Sequence, residues 1–290
     1  MARVPMPGRL SERHAVKVVL RRAKLHTVCE EARCPNMGDC FGRHTATFLV
    51  LGDTCSRNCG FCSIGHGRPA PPDADEPRRV AEAVGQLGIR HVVITSVTRD
   101  DLPDGGAGHF VGCLHEIRAR NPGVTVELLV PDFAGQRSAL ETVLAEKPDV
   151  LNHNLETVPR LYRRVRPQAD FRRSLQLLAR AREAGGEVVV KSGLMVGLGE
   201  TRQEVEEVLR DLARAGCQVV TIGQYLQPTR QSLPVERLVE EEEYRHYRRL
   251  GTELGLVVVA GRLVRSSYRA RETLAGLRHG WTGRGKKCNI

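Results

Sequence analysis

The feature that most limits how this chain folds is a repeated alternation of short apolar segments with polar segments of helical spacing. Each apolar segment is rich in β-branched residues, and apolar strands that alternate with helices are typical of a parallel sheet covered by helices. The predicted strands are residues 46–51, 91–96, 124–130, 150–153, 188–194 and 219–222, with a further one at 256–260. The predicted helices between them are residues 77–87, 109–120, 136–146, 171–184 and 201–215.

Six such units with one period predict an α/β fold, a partial (β/α)6 barrel of the TIM type. An open doubly wound sheet is the alternative, but no G-x-G-x-x-G fingerprint follows the first predicted strand. We expect one structural unit in three parts: an N-terminal extension, 1–42, the barrel, 43–223, and a C-terminal extension, 224–290.

Charge and hydropathy narrow the class of protein. The 290 residues include 44 basic and 34 acidic side chains, a formal net charge of +10. This charge predicts an anionic partner, although an arginine-rich composition is also what a GC-rich genome produces by default. No apolar run approaches the ~20 residues that cross a bilayer, and residues 1–19 lack the apolar core of a secretory signal. We therefore expect a cytoplasmic protein without membrane attachment, in which nine cysteines indicate metal binding rather than disulfides.

Three cysteines directly follow the first predicted strand. Cys55, Cys59 and Cys62 have the spacing C-x3-C-x2-C, and the loops after the strands form the active face of a barrel. An iron–sulfur cubane usually takes four cysteine ligands, so three would leave one iron open to another molecule. A zinc site or simple packing is the alternative, but zinc prefers paired C-x2-C units.

This loop resembles the signature of the radical S-adenosylmethionine (SAM) superfamily. A glycine-rich stretch in the fifth predicted strand, Gly193 to Glu200, matches a second motif of that superfamily, G-x-[IM]-x-G-x-x-E. The resemblance implies a barrel of the radical SAM type and a [4Fe-4S] cluster whose open iron binds SAM. It also implies that the reduced cluster cleaves SAM to methionine and a 5′-deoxyadenosyl radical, which removes hydrogen from an unactivated carbon.

A second group of three cysteines precedes the barrel. Cys29, Cys34 and Cys40 have the spacing C-x4-C-x5-C, and Pro35 and Gly38 lie between them. These two residues predict a loop rather than a helix. Three soft ligands again indicate an iron–sulfur cluster that needs a fourth ligand. Candidates for that ligand are Cys288, which we otherwise expect to be a free thiol, and a hydroxyl from elsewhere.

The two cysteine groups in this order resemble those of the lipoyl synthases. Further stretches agree, including N-H-N-L-E-T at 152–157, R-V-R-P at 164–167 and R-S-S-Y at 265–268, and the resemblance runs from about Val28 to Ala270. It implies that Cys29, Cys34 and Cys40 hold an auxiliary [4Fe-4S] cluster. Its fourth ligand is a serine of R-S-S-Y, for which we choose Ser267, with Ser266 as the second choice.

The resemblance also implies a reaction and its partners. Lipoyl synthases insert two sulfur atoms at C6 and C8 of an N6-octanoyl-lysine, using two SAM molecules and the sulfur of the auxiliary cluster. The octanoyl carriers are lipoyl domains or the glycine-cleavage H protein, which are typically acidic and suit a charge of +10. An electron donor (flavodoxin or ferredoxin) and an iron–sulfur carrier that rebuilds the cluster are also expected. Nucleic acid and membrane are not.

The resemblance further implies that several polar residues and glycines at strand ends bind SAM. Strand-end residues reach the active face, but ordinary loop contacts or salt bridges explain such positions equally well. Arg166 is open to the same two interpretations. The predicted SAM contacts are Thr95, Ser96, Asn154, Glu156, Lys191, Gly193 and Gly197.

Rival functions differ in where their extra cysteines lie. A tRNA methylthiotransferase also joins a radical SAM loop to three further cysteines, and a charge of +10 suits RNA. Those cysteines are spread through a separate domain, however, and an RNA-binding module follows the barrel. In biotin synthase the extra cysteines are scattered through the barrel. An electron-transfer or cluster-storage module, from a different class, needs neither the barrel nor the glycine-rich stretch.

Overall fold

The computed structural model describes residues 10–42 and 46–278. The strands are β1 (His26–Thr27), β2 (Thr47–Val50), β3 (Thr54–Cys55), β4 (Gly65–His66), β5 (His91–Ser96), β6 (Thr125–Leu129), β7 (Val150–Asn152), β8 (Val189–Val196), β9 (Val219–Gln224) and β10 (Val257–Gly261). The helices are α1 (Leu10–Arg22), α2 (Val28–Glu31), α3 (Met37–Gly42), α4 (Glu76–Gln86), α5 (Ala107–Arg120), α6 (Arg137–Ala145), α7 (Tyr162–Val165), α8 (Phe171–Glu183), α9 (Arg202–Arg214), α10 (Glu241–Glu253) and α11 (Ala270–Arg278). Two 3-10 helices are Phe133–Gly135 and Pro159–Leu161.

One sheet forms the centre of the fold. Its strand order is β1-β2-β5-β6-β7-β8-β9-β10. All neighbours from β2 to β10 pair in parallel, and only β1 is antiparallel. Because sheet order follows chain order, each helical crossover returns to the adjacent position, as in a barrel. In the described residues β10 pairs only with β9, so the barrel is partial, and the predicted fold class is confirmed.

The region predicted as a C-terminal extension contributes a seventh parallel strand to this sheet. β10 pairs with β9 from Val257 opposite Val219 to Gly261 opposite Gly223, which confirms the strand predicted at 256–260. The last helix, α11, then covers one end of the barrel. Leu274 of α11 packs in a cluster with the valines that begin β7, β8, β9 and β10.

The helices cover the sheet with amphipathic faces. α9 shows the pattern, because it buries Val205, Val208, Leu209 and Leu212 at helical spacing. Its start has the capping box that the sequence predicts, with reciprocal hydrogen bonds between Thr201 and Glu204. No helix in the described part of the chain is long and apolar enough to cross a membrane.

A charged pair lies inside the barrel. The ammonium of Lys191 on β8 contacts both carboxylate oxygens of Glu127 on β6, at 2.9 and 3.1 Å. Asn152 donates a further hydrogen bond of 2.8 Å to Glu127, and His91 lies 3.5 Å from it. Burial is the largest single influence and raises the pKa of Glu127, but the charges and hydrogen bonds of Lys191 and His91 together outweigh it and lower this pKa to about 2. The carboxylate therefore stays ionised although it is buried.

We expect Glu127→Gln to destabilise the protein by about 3–5 kcal/mol at neutral pH, because the buried ammonium loses its counter-charge. The folded pKa lies below the ordinary value, so this stabilisation is complete above about pH 4.5 and is lost as the pH falls towards about 2. Urea unfolding of wild type and variant at several pH values measures the difference. The double variant Glu127→Leu/Lys191→Met is the control and should regain most of the stability. A difference that does not shrink in acid contradicts the assignment.

Candidate functional site

The first predicted site, the cysteine loop 55–62, begins after a sharp turn at the end of β2. Leu51 and Gly52 have φ angles of 67° and 93°, which turn the chain out of the strand. The amide of Leu51 donates to Glu76 at the start of α4 (2.8 Å). Its carbonyl accepts from the buried guanidinium of Arg99 (3.3 Å). Helix and strand ends therefore fix the direction in which the loop leaves the barrel.

Two of the three thiols of this loop accept hydrogen bonds from backbone amides. Cys55 Sγ accepts from the amides of Arg57 (3.4 Å) and Thr98 (3.3 Å), and Cys62 Sγ accepts from the amide of Ile64 (3.5 Å). Burial is the main reason that the pKa of Cys62 is raised to about 11, and the neighbouring charges of Cys59 and Cys55 act in the same direction. The loop thus gathers three thiols whose charged form needs a positive partner such as iron.

A buried arginine between the first two cysteines clamps the loop to the barrel. Arg57 contacts Asp100 at 2.6 Å and Asp132 at 2.6 Å, so it links the ends of β5 and β6. Asp132 also binds Arg173 at 2.9 Å. Burial is the largest single influence and raises the pKa of Asp132, but the hydrogen bond and charge of Arg57, with the charge of Arg173, together outweigh it and lower this pKa to about 2. The sequence analysis missed this clamp, whose only local signal is an arginine inside the C-x3-C spacing.

The wall of the site beyond β7 contains Asn154 and Glu156. Glu156 has a φ of 65° and bridges to β8, since its amide donates to Gly193 (3.0 Å) and its carbonyl accepts from Met195 (2.8 Å). Asn154 donates to its carboxylate at 3.0 Å, and burial raises the pKa of Glu156. The charge of Glu156 acts on Cys59 and Cys62. The structure therefore brings these two predicted contacts to the cysteine loop.

Arg166 lies between this wall and the loop. Its guanidinium donates to the carbonyls of Asn154 (3.0 Å) and Leu155 (3.2 Å), and its charge acts on Cys59. Its Nε is buried and has no partner within the described part of the chain.

The two glycines of the predicted SAM motif have different roles. A Cβ at Gly193 would lie 2.7 Å from Asn154 Oδ1, so the bare backbone is needed beside the wall. Gly197 has a φ of 103°, and a Cβ there would lie 2.1 Å from Gln224 Nε2. Glu200 accepts from the amides of Gly197 (2.6 Å) and Leu198 (2.9 Å). Glycine 197 and Glu200 therefore shape the turn after β8, while Gly193 lines the site.

Of the remaining predicted SAM contacts, Thr95 and Lys191 already have polar partners, and Ser96 has none among the described residues. Ser96 Oγ is buried and lacks a partner among the described residues. Thr95 Oγ1 donates to the carbonyl of Leu129 on β6 (2.8 Å). The ammonium of Lys191 is bound to Glu127 in the barrel interior, so the structure already gives this side chain a counter-charge.

The other cysteine group contains two short helices, so the prediction of a loop there is wrong. Cys29 lies in α2 and Cys40 in α3, with Cys34 between them. Pro35 lies in the connection, where its missing amide costs no helical hydrogen bond. Thr27 caps α2 by accepting from the amide of Glu30. Helices of one or two turns, such as α2 and α3, are too short for a periodic pattern of apolar residues to predict them.

Backbone hydrogen bonds fold this group onto itself. The amide of Cys34 donates to the carbonyl of Cys29 (3.1 Å), and the amide of Cys40 donates to that of Asn36 (2.9 Å). Burial raises the pKa of Cys29 to about 12 and also raises that of Cys34, which the charge of Arg265 opposes. Within the described ranges no three His, Cys, Asp or Glu side chains are close enough to hold a single metal ion. A cubane has a different requirement, because each thiolate binds its own iron.

The R-S-S-Y segment reaches the same place from the other end of the chain. Asn36 Nδ2 donates to the carbonyl of Leu263 (2.6 Å), and Thr47 Oγ1 donates to Ser267 Oγ (2.7 Å). Ser266 points elsewhere, since its hydroxyl accepts from Asn152 (2.8 Å) and donates to Asn154 (3.1 Å). The two adjacent serines thus contact different parts of the barrel.

The remaining cysteines lie outside both groups. Cys113 in α5 and Cys217 before β9 are buried, and burial raises the pKa of both thiols. Both therefore act as buried packing residues with little thiolate character. Cys288, a candidate fourth ligand, lies outside the described residues.

A partial parallel barrel with three cysteines after its first parallel strand defines a radical SAM enzyme, and comparison with known proteins agrees. The model of the Radical SAM superfamily matches residues 49–212. SuiB of Streptococcus suis, solved with its precursor peptide, superposes with a TM-score of 0.59 at 12% identity, over 78% of this chain and 50% of that one. Methylornithine synthase (PylB) gives 0.54 at 14% identity, over 88% and 79%.

Closer relatives specify the family. The chain is 55% identical over 256 residues to the lipoyl synthase of Caldanaerobacter subterraneus subsp. tengcongensis, covering 88% of this chain and 90% of that one. It is 55% identical over 270 residues to the lipoyl synthase of Methylococcus capsulatus, covering 92% and 84%. The chain belongs to the lipoyl synthase family. Membership implies SAM and [4Fe-4S] clusters as cofactors and decides against the tRNA methylthiotransferase alternative.

We expect Gly197→Ala to destabilise the apoprotein by more than about 2 kcal/mol, because it adds a clash with Gln224 to an unfavourable φ. Gly199→Ala is a matched control. Its φ of 105° is nearly the same, but the nearest atom to its Cβ is Glu236 Cγ at 3.6 Å. It should cost only about 1 kcal/mol. Urea unfolding measures both, and equal losses would show that contact with Gln224 does not explain the glycine.

Proposed function

We propose that this chain inserts two sulfur atoms, at C6 and C8, into an octanoyl group carried on a lysine of a partner protein. The observation that carries the proposal is the convergence of a second cysteine group with the R-S-S-Y segment. Asn36 and Thr47 tie the two together across 227 and 220 residues of sequence. A radical SAM enzyme without a sulfur source needs only the loop of Cys55, Cys59 and Cys62, so this additional site supports sulfur insertion.

Cys55, Cys59 and Cys62 are the proposed ligands of the cluster that binds SAM. The backbone amides directed at Cys55 and Cys62 suit thiolates, because hydrogen bonds to the charged form favour it. The Arg57 clamp suits a cluster site, since it holds the loop on two strand ends while leaving the thiols unengaged by side chains. When bound, this cluster and SAM supply a carbon-centred radical, and the second cluster supplies sulfur.

Ser96, Asn154, Glu156 and Gly193 are proposed to contact SAM directly. Support comes from the unpaired hydroxyl of Ser96 and from the Asn154–Glu156 pair, which offers donor and acceptor groups to ribose hydroxyls. Gly193 allows the backbone of β8 to approach a flat ring.

The other three predicted SAM contacts are engaged elsewhere. We propose that these three residues support the site without touching SAM. The hydroxyl of Thr95 is hydrogen-bonded to Leu129, and the ammonium of Lys191 is paired with Glu127. Gly197 leaves room for the side chain of Gln224.

Cys29, Cys34, Cys40 and Ser267 are the proposed ligands of the second, auxiliary cluster. Ser267 suits this role better than Ser266, because the hydroxyl of Ser266 is engaged with both Asn152 and Asn154. A serine oxygen is a hard ligand among soft ones, so its bond to iron should be labile. Lability suits a cluster that gives up its sulfur.

The partners we propose follow from charge and chemistry. An octanoylated lipoyl domain or glycine-cleavage H protein brings the substrate, a flavodoxin or ferredoxin brings electrons, and an iron–sulfur carrier rebuilds the second cluster. The net charge of +10 supports acidic partners. Arg163 and Arg164 are exposed beside Val165, whose carbonyl accepts from Gly60 in the cysteine loop. The thiols of Cys55, Cys59 and Cys62 suit a reducing compartment such as the cytoplasm.

Anaerobic reconstitution should give about eight iron and eight sulfide per chain, as expected for two cubanes. The variant Cys29/Cys34/Cys40→Ala should retain about four of each and still cleave SAM, but add no sulfur to an octanoylated carrier. Iron and sulfide analysis and intact-protein mass spectrometry of the carrier measure these outcomes. About four iron in both proteins would leave a radical SAM enzyme without a sulfur source, contrary to the proposal.

Ser267→Ala should lower sulfur insertion by about 10- to 100-fold while SAM cleavage at the first cluster continues, because only the auxiliary cluster loses a ligand. Ser266→Ala is the matched control, one residue away and equally conservative. It should preserve the iron content of the auxiliary cluster. Carrier mass and 5′-deoxyadenosine are measured in the same reactions. The reverse pattern, with iron lost only in Ser266→Ala, would assign the ligand to Ser266.

A further inference from the structure

One threonine of the barrel contacts two of the four proposed ligands of the auxiliary cluster. Thr47, the first residue of β2, is buried, and its Oγ1 donates to Ser267 Oγ at 2.7 Å. Its main chain also hydrogen-bonds the thiol of Cys29. A single residue therefore joins a ligand from near the start of the chain to one from near its end.

The position of Thr47 is fixed by the strand pairing around it. β2 pairs in parallel with β5, with Thr47 opposite Val93, and the next residue, Phe48, pairs with Thr27 of the antiparallel β1, which leads directly into α2 and Cys29. A residue that is paired with one strand and adjoins a pairing with another has little freedom to move its backbone. Thr47 is thus a rigid reference point for the two ligands.

Ser267 is less constrained by its own segment. The chain after β10 is tied to the second cysteine group by the hydrogen bond between Leu263 and Asn36 and to the barrel by the bonds of Ser266. These contacts place the backbone, but the direction of the Ser267 hydroxyl depends on Thr47.

We propose that Thr47 is a positioning residue of the auxiliary cluster, which aims the oxygen of Ser267 at iron and holds Cys29 beside it. This inference rests on the proposed function, in which Ser267 is a ligand. The direction of the hydrogen bond suits the role, because Thr47 donates and Ser267 accepts. The serine oxygen keeps a second lone pair for iron.

The test uses the full-length chain carrying Cys55/Cys59/Cys62→Ala, so that only the auxiliary cluster is reconstituted. Thr47→Val removes the hydroxyl and keeps the shape. We expect it to hold about three iron instead of about four and to give the electron paramagnetic resonance signal of a three-iron cluster after mild oxidation. Thr47→Ser restores the hydroxyl and should restore four iron. Thr47→Ala is a second hydroxyl-free variant, and it should match Thr47→Val.

The control is Thr273→Val in α11, which removes a buried hydroxyl that donates to the carbonyl of Arg269, the residue before this helix. It should leave iron content and spectrum unchanged. Four iron in both Thr47→Val and Thr47→Ala, together with loss in Ser267→Ala, would overturn the role of Thr47 alone. Loss of iron in Thr47→Ser equal to that in Thr47→Val would also overturn it, because the hydroxyl would then be irrelevant. No loss in Ser267→Ala would instead overturn the ligand assignment on which the inference rests.

Discussion

Parallel pairing of seven described strands decides where the first site of this protein lies. The carboxyl ends of parallel strands lie at one edge of a sheet. Residues that follow different strands, although far apart in sequence, therefore lie close together at this edge. The cysteine loop follows β2, Asp100 follows β5, Asp132 follows β6 and Glu156 follows β7. Arg57 then joins three of these ends through two carboxylates. A buried guanidinium with its charge balanced in this way resists displacement, because moving it would remove a counter-charge from the fully buried carboxylate of Asp132.

The auxiliary site depends on contacts of a different kind. Its proposed ligands come from two segments outside the parallel strands, one that precedes β2 and one that follows β10. They meet near the amino end of β2, where Thr47 contacts Ser267 and where Asn36 of the first segment contacts Leu263 of the second. Few hydrogen bonds hold this junction, whereas the cysteine loop is held by charged pairs and strand ends. The difference in restraint parallels the proposed difference in chemistry, since one cluster must persist through turnover and the other must open.

The sequence alone predicted the seven parallel strands and the two cysteine groups, because both are local patterns, but it did not show the two-residue strands β1, β3 and β4. Runs of β-branched residues mark β5, β8 and β9, and the cysteine spacing marks the proposed ligands. Contacts across the sheet were not predictable. Lys191 was expected to face SAM and is paired with Glu127, which lies 64 residues away. The Arg57 clamp and the separate orientations of Ser266 and Ser267 were missed for the same reason. The helices around Cys29 and Cys40 are too short to have a detectable period.

The 220 residues that separate Thr47 from Ser267 also set an order of events in the cell. A ribosome adding roughly 5–20 residues per second needs about 10–40 s to make that length of chain. During this interval Cys29, Cys34 and Cys40 are already made, while the serine proposed as their fourth ligand is not. On that proposal, the four-ligand site becomes complete only after the last parallel strand, β10, and the segment that follows it have been synthesised.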